Sequence, residues 1–337
     1  MSNLFKKAIF FTDLHLGLKN NSEQHNTDCL DFVKWMIDTG KENGAETCFF
    51  LGDFHHNRSS INLKTLDYSL QVLELLNDNF EKTYILAGNH DLFFRDRRDV
   101  NGVGWAKHLD NIEIVNDWFK KDNVAIVPWL IGNDYKKVKK IKATYMFGHF
   151  ELPRFKLNCL TEMPDTGEMS MDYLGNVGHV YSGHFHMRQE RENVTYIGNC
   201  FPHDFSDAGD DKRGAMILEW GHKHEFISWP KQPLYKNVNL SDLLDNAEKI
   251  LKPRMSVRVN LDIDISYEES NFIRETFIDT YNLRDISLIP IKVKEYEEDN
   301  SEAISFNSID TIIGEQITNI ESDFYKPELL MEIYREL

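Results

Sequence analysis

The stretch YILAGNHDL, residues 84–92, passes from an apolar run directly into an amide, an imidazole and a carboxylate. The apolar run predicts a buried strand, so the three polar side chains at its exit need an explanation. Two similar strands precede it at 7–12 and 47–51, and apolar residues with helical spacing at 28–39 and 63–76 separate the three. This β-α-β-α-β order predicts a largely parallel sheet with helices on its faces. Ligands of such sheets bind at the carboxyl ends of the strands, where these polar residues lie.

The middle of the chain predicts a second sheet. Short apolar strands follow one another closely, and a sheet stacked on the first would accommodate them. They are predicted at 112–115, 124–127, 145–147, 179–182, 194–197, 215–218 and 225–228. The expected fold class is therefore α/β (α+β), with two stacked mixed β-sheets flanked by helices. The lysine-rich segment at 134–141 is interpreted as a surface helix, with a phosphate-contacting patch as the alternative.

The pattern changes after residue 230. A strand with alternating polarity at 257–265, a helix at 267–281 and a strand at 286–293 predict a small α+β unit. An acidic linker then leads to two short amphipathic helices, an isoleucine-rich one at 309–320 and one that begins at Pro327. The sequence therefore predicts a large first domain, a small second unit and a helical C-terminal segment.

Five of the predicted strands end in side chains of the kinds that bind metal ions. Their endings are TDLH at 12–15, GDFHH at 52–56, GNHD at 88–91, GHFE at 148–151 and SGHFH at 182–186. At the carboxyl edge of a parallel sheet such endings lie side by side, although up to about 170 positions separate them. We therefore expect them to form one site.

The types of ligand narrow the choice of metal. Carboxylate, imidazole and amide oxygen without thiolate favour manganese, iron or zinc over a soft metal. The D-x-H and H-x-H spacings place both side chains on one face of an extended segment. Seven candidate ligands are more than one ion needs. Two ions that share a carboxylate at roughly 3.5–4 Å fit this number, and such pairs clamp the attacking and leaving oxygens in phosphoester cleavage.

The composition of the chain indicates which classes of function and cellular environment are compatible with it. Acidic residues outnumber basic ones by 55 to 38, which gives a net charge of −17. That sign is wrong for a nucleic-acid binder acting alone, so a polyanionic substrate would need metal ions, a local basic patch or a partner. The four scattered cysteines predict free thiols in a reducing cytoplasm. No apolar stretch approaches the roughly 18–20 residues of a membrane span, so we expect a soluble protein without a secretory signal.

The residues of the motifs and their order along the chain resemble those of a known family. DLHLG, GDFHH, GNHDL, GHFEL and SGHFH resemble the five phosphoesterase motifs of the calcineurin-like metallophosphoesterase superfamily. Within it the chain looks like the SbcD-type DNA-repair nucleases in their bacteriophage form, and YIGNCFPHDFSDAGDDKRGAMIL, residues 196–218, resembles the segment that follows their motifs. The resemblance implies a four-layer sandwich. It also implies a nuclease domain at 1–232, a DNA-binding capping domain at 233–295, and a linker with a partner-binding helical segment at 296–337.

Carried over position by position, the resemblance implies seven metal ligands around two divalent ions. One ion would be held by Asp13, His15 and His186, the other by Asn89, His149 and His184, and Asp53 would bridge them. The expected metal is manganese, with magnesium as the alternative.

The resemblance also implies two catalytic histidines. His90 would stand near the scissile phosphate as a general acid or transition-state donor, and His56 would be a second helper imidazole. A register shift by one residue would exchange His56 with His55, so that choice stays open. Asp91 is expected to orient a neighbour or cap the turn rather than to bind metal.

Other polar residues near the motifs have less defined roles. His203 and Asp204 follow the last motif, and we expect a loop role for them rather than a catalytic one. Arginines follow the second and third motifs and are either DNA-backbone contacts or parts of solvated loops. These are Arg58, Arg95, Arg97 and Arg98.

The C-terminal part is where the resemblance implies partners. The two amphipathic helices look like the segment that docks on the coiled coil of an SbcC-type ATPase, which would bury their apolar face in a groove. The alternative is that they pack on the protein's own core. A homodimer through helices of the first domain is also implied. For a chain of phage origin, the expected location is the cytoplasm of the bacterial host.

Three functions compete. The first is a metal-dependent DNA nuclease, an exonuclease on duplex ends and an endonuclease on single strands, that acts in DNA repair, recombination or replication. The second is a small-molecule phosphatase or nucleotide phosphodiesterase, since the same ions serve both reactions. The third is a non-catalytic scaffold, against which the complete set of ligands argues. A small-substrate enzyme needs no cap or partner-binding tail, so the long C-terminal part favours the nuclease.

Overall fold

The computed structural model describes residues 3–156, 161–165 and 169–290. The strands, in chain order, are β1 (Lys7–Phe11), β2 (Thr47–Phe50), β3 (Lys82–Leu86), β4 (Ile112–Val115), β5 (Phe119–Lys121), β6 (Val124–Val127), β7 (Ala143–His149), β8 (Val177–Gly183), β9 (Gln189–Arg191), β10 (Val194–Tyr196), β11 (Gly214–Glu219), β12 (Glu225–Ser228), β13 (Leu234–Asn239), β14 (Met255–Leu261) and β15 (Asp285–Pro290). The helices are α1 (Glu23–Glu42), α2 (Leu63–Asn79), α3 (Tyr135–Val138), α4 (Leu240–Ile250) and α5 (Tyr267–Tyr281). A left-handed turn lies at Leu18–Asn21, and 3-10 turns lie at Gly104–His108, Met171–Leu174 and Phe205–Asp207.

The first sheet has the strand order β12-β11-β1-β2-β3-β4. Strands β1 to β4 run parallel, and β11 and β12 form an antiparallel edge. Helix α1 connects β1 to β2, and α2 connects β2 to β3. The β-α-β-α-β series expected from the sequence is therefore confirmed.

The second sheet has the order β5-β6-β7-β8-β10-β9. Its four central strands are parallel, and its two edge strands are antiparallel to their neighbours. Fully buried aromatic rings join it to the first sheet: Phe10 of β1 lies 4.7 Å from Phe49 of β2 and 4.8 Å from Phe147 of β7, measured between ring centroids. The two mixed sheets are thus stacked, as predicted.

Helical segments cover the outer faces of both sheets. Buried apolar residues of α1 and α2, among them Phe32, Met36 and Leu73, pack on the first sheet. On the second sheet the cover is thinner and includes Val138 of α3 and Leu174 of a 3-10 turn. The predicted helix at 134–141 is only the four residues of α3, in which Val138 is the buried residue.

The third sheet is parallel, with the order β13-β14-β15 and its own apolar core. Strand β14 ends at Leu261, so the prediction that it extends to 265 is wrong. The Asp262 carboxylate accepts the backbone N–H of Ser241 at 3.0 Å, and the chain then turns into the capping box of α5 at Ser266. Alternating polarity therefore continues past the point where the hydrogen-bonded ladder stops. The predicted division at 232 and 233, just before β13, stays a prediction.

Two further expectations concern the C-terminal part and membranes. The predicted helices at 309–320 and after Pro327 lie outside the described residues, as does the end of the predicted strand at 286–293. Within the described residues, no helix combines the length and apolar character that crossing a membrane requires.

Candidate metal centre

The polar endings of β1, β2, β3, β7 and β8 meet at one place, where the carboxyl ends of both sheets adjoin. Asp13, His15 and Asp53 each offer a ligand atom, and these atoms lie within 4.8 Å of one another. Asp53, His149 and His184 form a second group of the same kind. Because Asp53 belongs to both groups, the arrangement has two adjacent positions that share one carboxylate.

The first position lies beside β1. His15 Nε2 is 3.8 Å from Asp13 Oδ1 and 3.6 Å from Asp53 Oδ2. The ring of His186 lies 5.4 Å from the ring of His15, centroid to centroid. Two carboxylates and two imidazoles therefore face this position.

The second position lies between β2, β3 and the second sheet. His149 Nε2 is 3.3 Å from Asp53 Oδ2. The side-chain oxygen of Asn89 lies 3.1 Å from His149 Nε2 and 3.0 Å from His184 Nδ1. The structure thus brings all seven of these residues together, and their assignment as ligands of two ions stays a prediction.

Four of these residues have a left-handed backbone conformation, which is uncommon outside glycine. The φ angles are 54° at Asp13, 49° at His15, 60° at Asp53 and 91° at His184. Each of these residues follows the end of a strand or lies within the turn beyond it. Strain of this kind is concentrated at functional sites, since the surrounding structure must hold it in place.

Glycines in the motifs let the ligands approach the backbone closely. A Cβ atom at Gly88 would lie 2.2 Å from Asp53 Oδ1, and one at Gly52 would lie 2.4 Å from His149 Nδ1. Any side chain at these positions would displace a predicted ligand. The GD and GNH motifs therefore require glycine for a steric reason.

Asp91 lies under the site and holds its backbone. Its carboxylate accepts the backbone N–H groups of Gly88, Asp53, Phe54 and His55. Burial and the nearby Asp53 carboxylate raise the pKa of Asp91 to about 6, although these N–H groups act in the opposite direction. The expectation that Asp91 orients its neighbours is confirmed.

The two adjacent histidines after β2 point in different directions. His55 is buried, and its Nε2 pairs with the Ser69 hydroxyl of α2 at 2.8 Å. The ring of His56 lies 5.4 Å from the ring of His90, nearly parallel to it, and 5.5 Å from that of His15. Of the two, only His56 faces the cluster, and its helper role stays a prediction.

The electrostatics of the cluster depend on Asp53 and His149. Burial alone would lower the pKa of His149, but the Asp53 carboxylate raises it to about 9. Burial opposes ionisation of Asp53, yet His149 and His15 hold the pKa of this carboxyl well below its usual value. His149 Nδ1 pairs with the Leu51 carbonyl at 2.7 Å, which leaves Nε2 towards Asp53. A cation would replace the proton on Nε2, because a ligating imidazole is neutral.

The residues present fit a pair of divalent ions. Asp13 Oδ1, which faces the first position, is buried and has no hydrogen-bond partner among the described residues. Buried carboxylate oxygens without a partner are costly unless a cation compensates them. The donor set of carboxylate, imidazole and amide oxygen is also the one that suits manganese, iron or zinc.

Sequence reasoning missed one member of the cluster, His203. Its ring is buried, 5.5 Å from the ring of His15 and 5.1 Å from that of His186. Burial lowers the pKa of His203 well below its usual value, and His186 and His25 add to that effect. Its segment follows the last motif without any ligand spacing, so the only available signal was the histidine itself.

Two other neighbours of the second position were not predicted to take part. The ring of Trp129 lies 5.0 Å from that of His184, and the Glu151 carboxylate lies 3.5 Å from His184 Nε2.

One of the arginines considered for DNA contact has a structural role instead. The guanidinium of Arg98 donates to the Trp129 carbonyl and pairs with Asp134.

Comparison with known proteins identifies the class. A family model described as calcineurin-like phosphoesterase matches residues 6–226. The chain therefore belongs to the calcineurin-like phosphoesterase family, and it is a hydrolase acting on phosphodiester bonds. The predicted metallophosphoesterase fold, with two mixed sheets flanked by helices, is confirmed with it.

Among individual relatives, the chain is similar to exonuclease subunit 1 of Enterobacteria phage T4. The two are 27% identical over 327 residues, which cover 93% of each chain. The resemblance that the motifs carry is thereby confirmed.

Solved structures show looser likenesses. A Pseudomonas putida nuclease, MPE, is 19% identical with a TM-score of 0.30, over 53% of this chain and 61% of that one. The Escherichia coli phosphoesterase Yfce is 15% identical with a TM-score of 0.36, over 67% and 94%. A dimetal phosphatase from Danio rerio is 9% identical with a TM-score of 0.39, over 65% and 93%. With TM-scores this low, these likenesses add nothing to the family assignment.

Proposed function

We propose that this protein is a metal-dependent DNA nuclease, with exonuclease activity on duplex ends and endonuclease activity on single strands. The observation that carries the proposal is the buried carboxylate of Asp53, which belongs to two adjacent groups of atoms that could bind metal ions. The similarity to an exonuclease subunit of a phage supports DNA as the substrate. DNA repair, recombination or replication in the cytoplasm of a bacterial host is the corresponding setting.

In this proposal the seven predicted ligands hold two divalent ions, manganese or alternatively magnesium. Asp13, His15 and His186 would hold one ion, Asn89, His149 and His184 the other, and Asp53 both. Such ions lower the pKa of a bound water to near neutrality and neutralise the charge that develops on phosphoryl oxygens. The chain's contribution is to fix these donors in advance, through the strained turns and the glycine contacts described above.

His90 is the proposed catalytic residue nearest the substrate. Its backbone N–H donates to Asp53 Oδ1 at 2.8 Å, and its ring Nδ1 lies 2.7 Å from the His56 carbonyl oxygen. Since that oxygen can only accept, Nδ1 carries a proton and Nε2 is directed away from the carbonyl. In the imidazolium form Nε2 is protonated as well, and it can then donate to a phosphoryl oxygen or to the leaving oxygen, which returns the ring to its neutral form with the proton on Nδ1. His56 stacks against this ring and helps to keep it in place.

A partner protein belongs to the same proposal. With a net charge of −17, the chain alone repels DNA at long range, so capture of DNA is assigned to the ions and to a partner. The similar phage protein is named as one subunit of an exonuclease. We assign an SbcC-type coiled-coil ATPase to that role, bound through 296–337, with the unit at 233–295 as a DNA-binding cap and a homodimer formed through the first domain.

The decisive assay compares two substrates with purified full-length protein in manganese. We expect degradation of a linear duplex, accelerated by the ATPase, and much slower cleavage of a small phosphodiester. Asp53→Asn should abolish both activities, whereas His179→Asn, a change in β8 outside the cluster, should leave them intact. Efficient cleavage of the small ester without any action on DNA would instead identify a small-molecule phosphoesterase. Absence of both activities in the metal-loaded protein would indicate a scaffold.

A further inference from the structure

His203 is a buried histidine whose ring nitrogens are both unused. The residue is 2% exposed, and neither Nδ1 nor Nε2 has a hydrogen-bond partner among the described residues. Buried polar side chains are nearly always hydrogen-bonded, because an unpaired donor or acceptor loses its hydration without compensation. An imidazole with two unpaired nitrogens therefore indicates a partner that the polypeptide does not supply.

The unused nitrogens adjoin the first metal position. His203, His15 and His186 each offer a ring nitrogen, and the three atoms lie within 4.8 Å of one another. The other histidine beside His203 is His25, which is already occupied. Its Nε2 lies 3.0 Å from both the Leu14 and the His15 carbonyl oxygens. The open direction for the His203 ring is thus towards His15 and His186.

A buried polar network holds the backbone of His203 in place. Its N–H donates to Asp207 Oδ2 at 2.9 Å, and Asn199 Nδ2 donates to the same oxygen at 3.2 Å. Arg213, fully buried, pairs with Asp207 and also donates to the Asn199 side-chain oxygen. The residue preceding His203 is Pro202, which restricts the chain further. An imidazole fixed in this way needs little rearrangement to bind an ion.

We propose that His203 is an additional ligand of the ion held by Asp13, His15 and His186, an inference that rests on the proposed two-metal function. The first position then has three imidazoles together with the Asp13 and Asp53 carboxylates. The second position has only two imidazoles, with Asn89 and Asp53 supplying oxygen. Imidazole favours zinc and iron, whereas oxygen donors suit manganese and magnesium. His203 therefore shifts the selectivity of the first position towards zinc or iron(II), and makes the two positions unequal.

The test measures metal binding, not cleavage. Zinc and manganese are titrated separately into the metal-free, full-length protein by calorimetry, for the wild type, His203→Leu and His203→Gln. We expect one of two zinc sites to weaken by at least about 10-fold in both variants, the lower end of the loss seen when even an outer partner of a ligand is removed. Manganese binding should weaken less, above all in His203→Gln, which offers an oxygen. The control His179→Gln should bind like the wild type.

Stability supplies a second readout. Without metal, His203→Leu should unfold at a higher temperature than the wild type, because it removes two buried unpaired nitrogens. Saturating zinc should then raise its unfolding temperature less than that of the wild type. A purely structural histidine would give the opposite result, with loss of stability in the metal-free protein and an unchanged zinc effect.

Crystallography decides the question without a variant. In wild-type crystals soaked in zinc, we expect anomalous density about 2.0–2.1 Å from a His203 ring nitrogen. Zinc beside His15 and His186 but well beyond bonding distance of His203, or unchanged zinc affinity in both His203 variants, would overturn this inference and leave the two-metal proposal intact. If the wild type bound no divalent ion while folded, the proposed function itself would fail.

Discussion

Asp91 Oδ2 accepts the backbone N–H of Asp53 at 2.9 Å, so one buried carboxylate positions another that belongs to both groups of candidate metal ligands. The same side chain also accepts the N–H of Gly88, at 2.9 Å, and thereby ties the end of β3 to the end of β2. Hydrogen bonds to an ionised acceptor are stronger than those between neutral groups. The geometry of Asp53 thus depends on a residue that has no direct role as a ligand.

Asp91→Asn tests this dependence. The amide keeps one acceptor oxygen but presents an NH₂ group to backbone donors, so we expect a loss of about 1–3 kcal/mol in the free energy of unfolding of the metal-free protein. Metal affinity should fall by about 10- to 100-fold, because the supported ligand is Asp53. Denaturant unfolding and metal titration measure the two effects. Asp96→Asn, an exposed change in the following loop, is the control. Equal behaviour of both variants would contradict the positioning role.

His90→Ala separates chemistry from metal binding. Removing a proton donor should reduce DNA cleavage by about 100- to 10,000-fold. The variant should still bind two ions with unchanged affinity, since the backbone N–H that holds Asp53 Oδ1 is retained. Single-turnover cleavage together with metal analysis of the purified variant measures both. Cleavage at the wild-type rate would remove His90 from the mechanism.

The sequence predicts which residues come together, because they follow strands that are easily recognised. The strands before Asp13, Asp53 and Asn89 are continuous apolar runs, and their parallel order brings the endings together. The sequence predicts short or polar strands poorly. Strands β5, β9 and β13 were missed, since two of them have three residues each and all carry exposed polar side chains.

Two other features depend on tertiary contacts that no local pattern records. Which of His55 and His56 faces the cluster depends on the Ser69 hydroxyl, which lies on α2 and pairs with His55. The position of His203 is decided by the buried network of Asn199, Asp207 and Arg213. In both cases, side chains of the same type have different environments that only the folded chain defines.

Metal removal should lower the stability of the protein. Ions that bind only the folded state add about 2.7 kcal/mol to the free energy of unfolding when their concentration is 100 times the dissociation constant. We therefore expect chelation to lower the unfolding temperature of the wild type. Asp53→Asn should show little further change, because the shared ligand is already impaired. Thermal unfolding with and without chelator measures this, and Asp38→Asn, exposed on α1, is the control. A chelator effect of wild-type size in Asp53→Asn would argue against the shared position.

Deletion of residues 301–337 tests the assignment of the partner. These residues lie outside the described part of the chain, so the expectation rests on the amphipathic pattern of the sequence. The shortened protein should no longer co-purify with the SbcC-type ATPase, while manganese-dependent cleavage by the protein alone continues. Persistent co-purification would locate the interface elsewhere. Loss of cleavage as well would indicate that the segment supports the folded chain itself.

The carboxylate of Asp28 on α1 pairs with two arginines of the unit that contains the third sheet. Asp28 is buried, and Arg254 and Arg284 each donate to its Oδ1 at 2.6 Å. Hydrogen bonds to charged groups contribute about 1.5–3 kcal/mol to the free energy of unfolding. Asp28→Ala removes the bonds to both arginines, but solvent screens the partly exposed Arg254. We therefore expect the loss to lie near the middle of that range. We expect this loss in denaturant unfolding, together with faster proteolysis after β12. The exposed Asp38→Ala on the same helix should change neither.

A double-mutant cycle shows whether the loss in the free energy of unfolding comes from the contact between Asp28 and Arg284. If Asp28 acts through Arg284, then Asp28→Ala should cost much less in an Arg284→Met background than in the wild type, because the contact is already broken. Additive losses would mean that Asp28 acts through Arg254 or within α1 itself, and not through Arg284. The cycle thus tests whether the small α+β unit is held on the phosphoesterase domain by charge, which matters for a cap proposed to contact DNA.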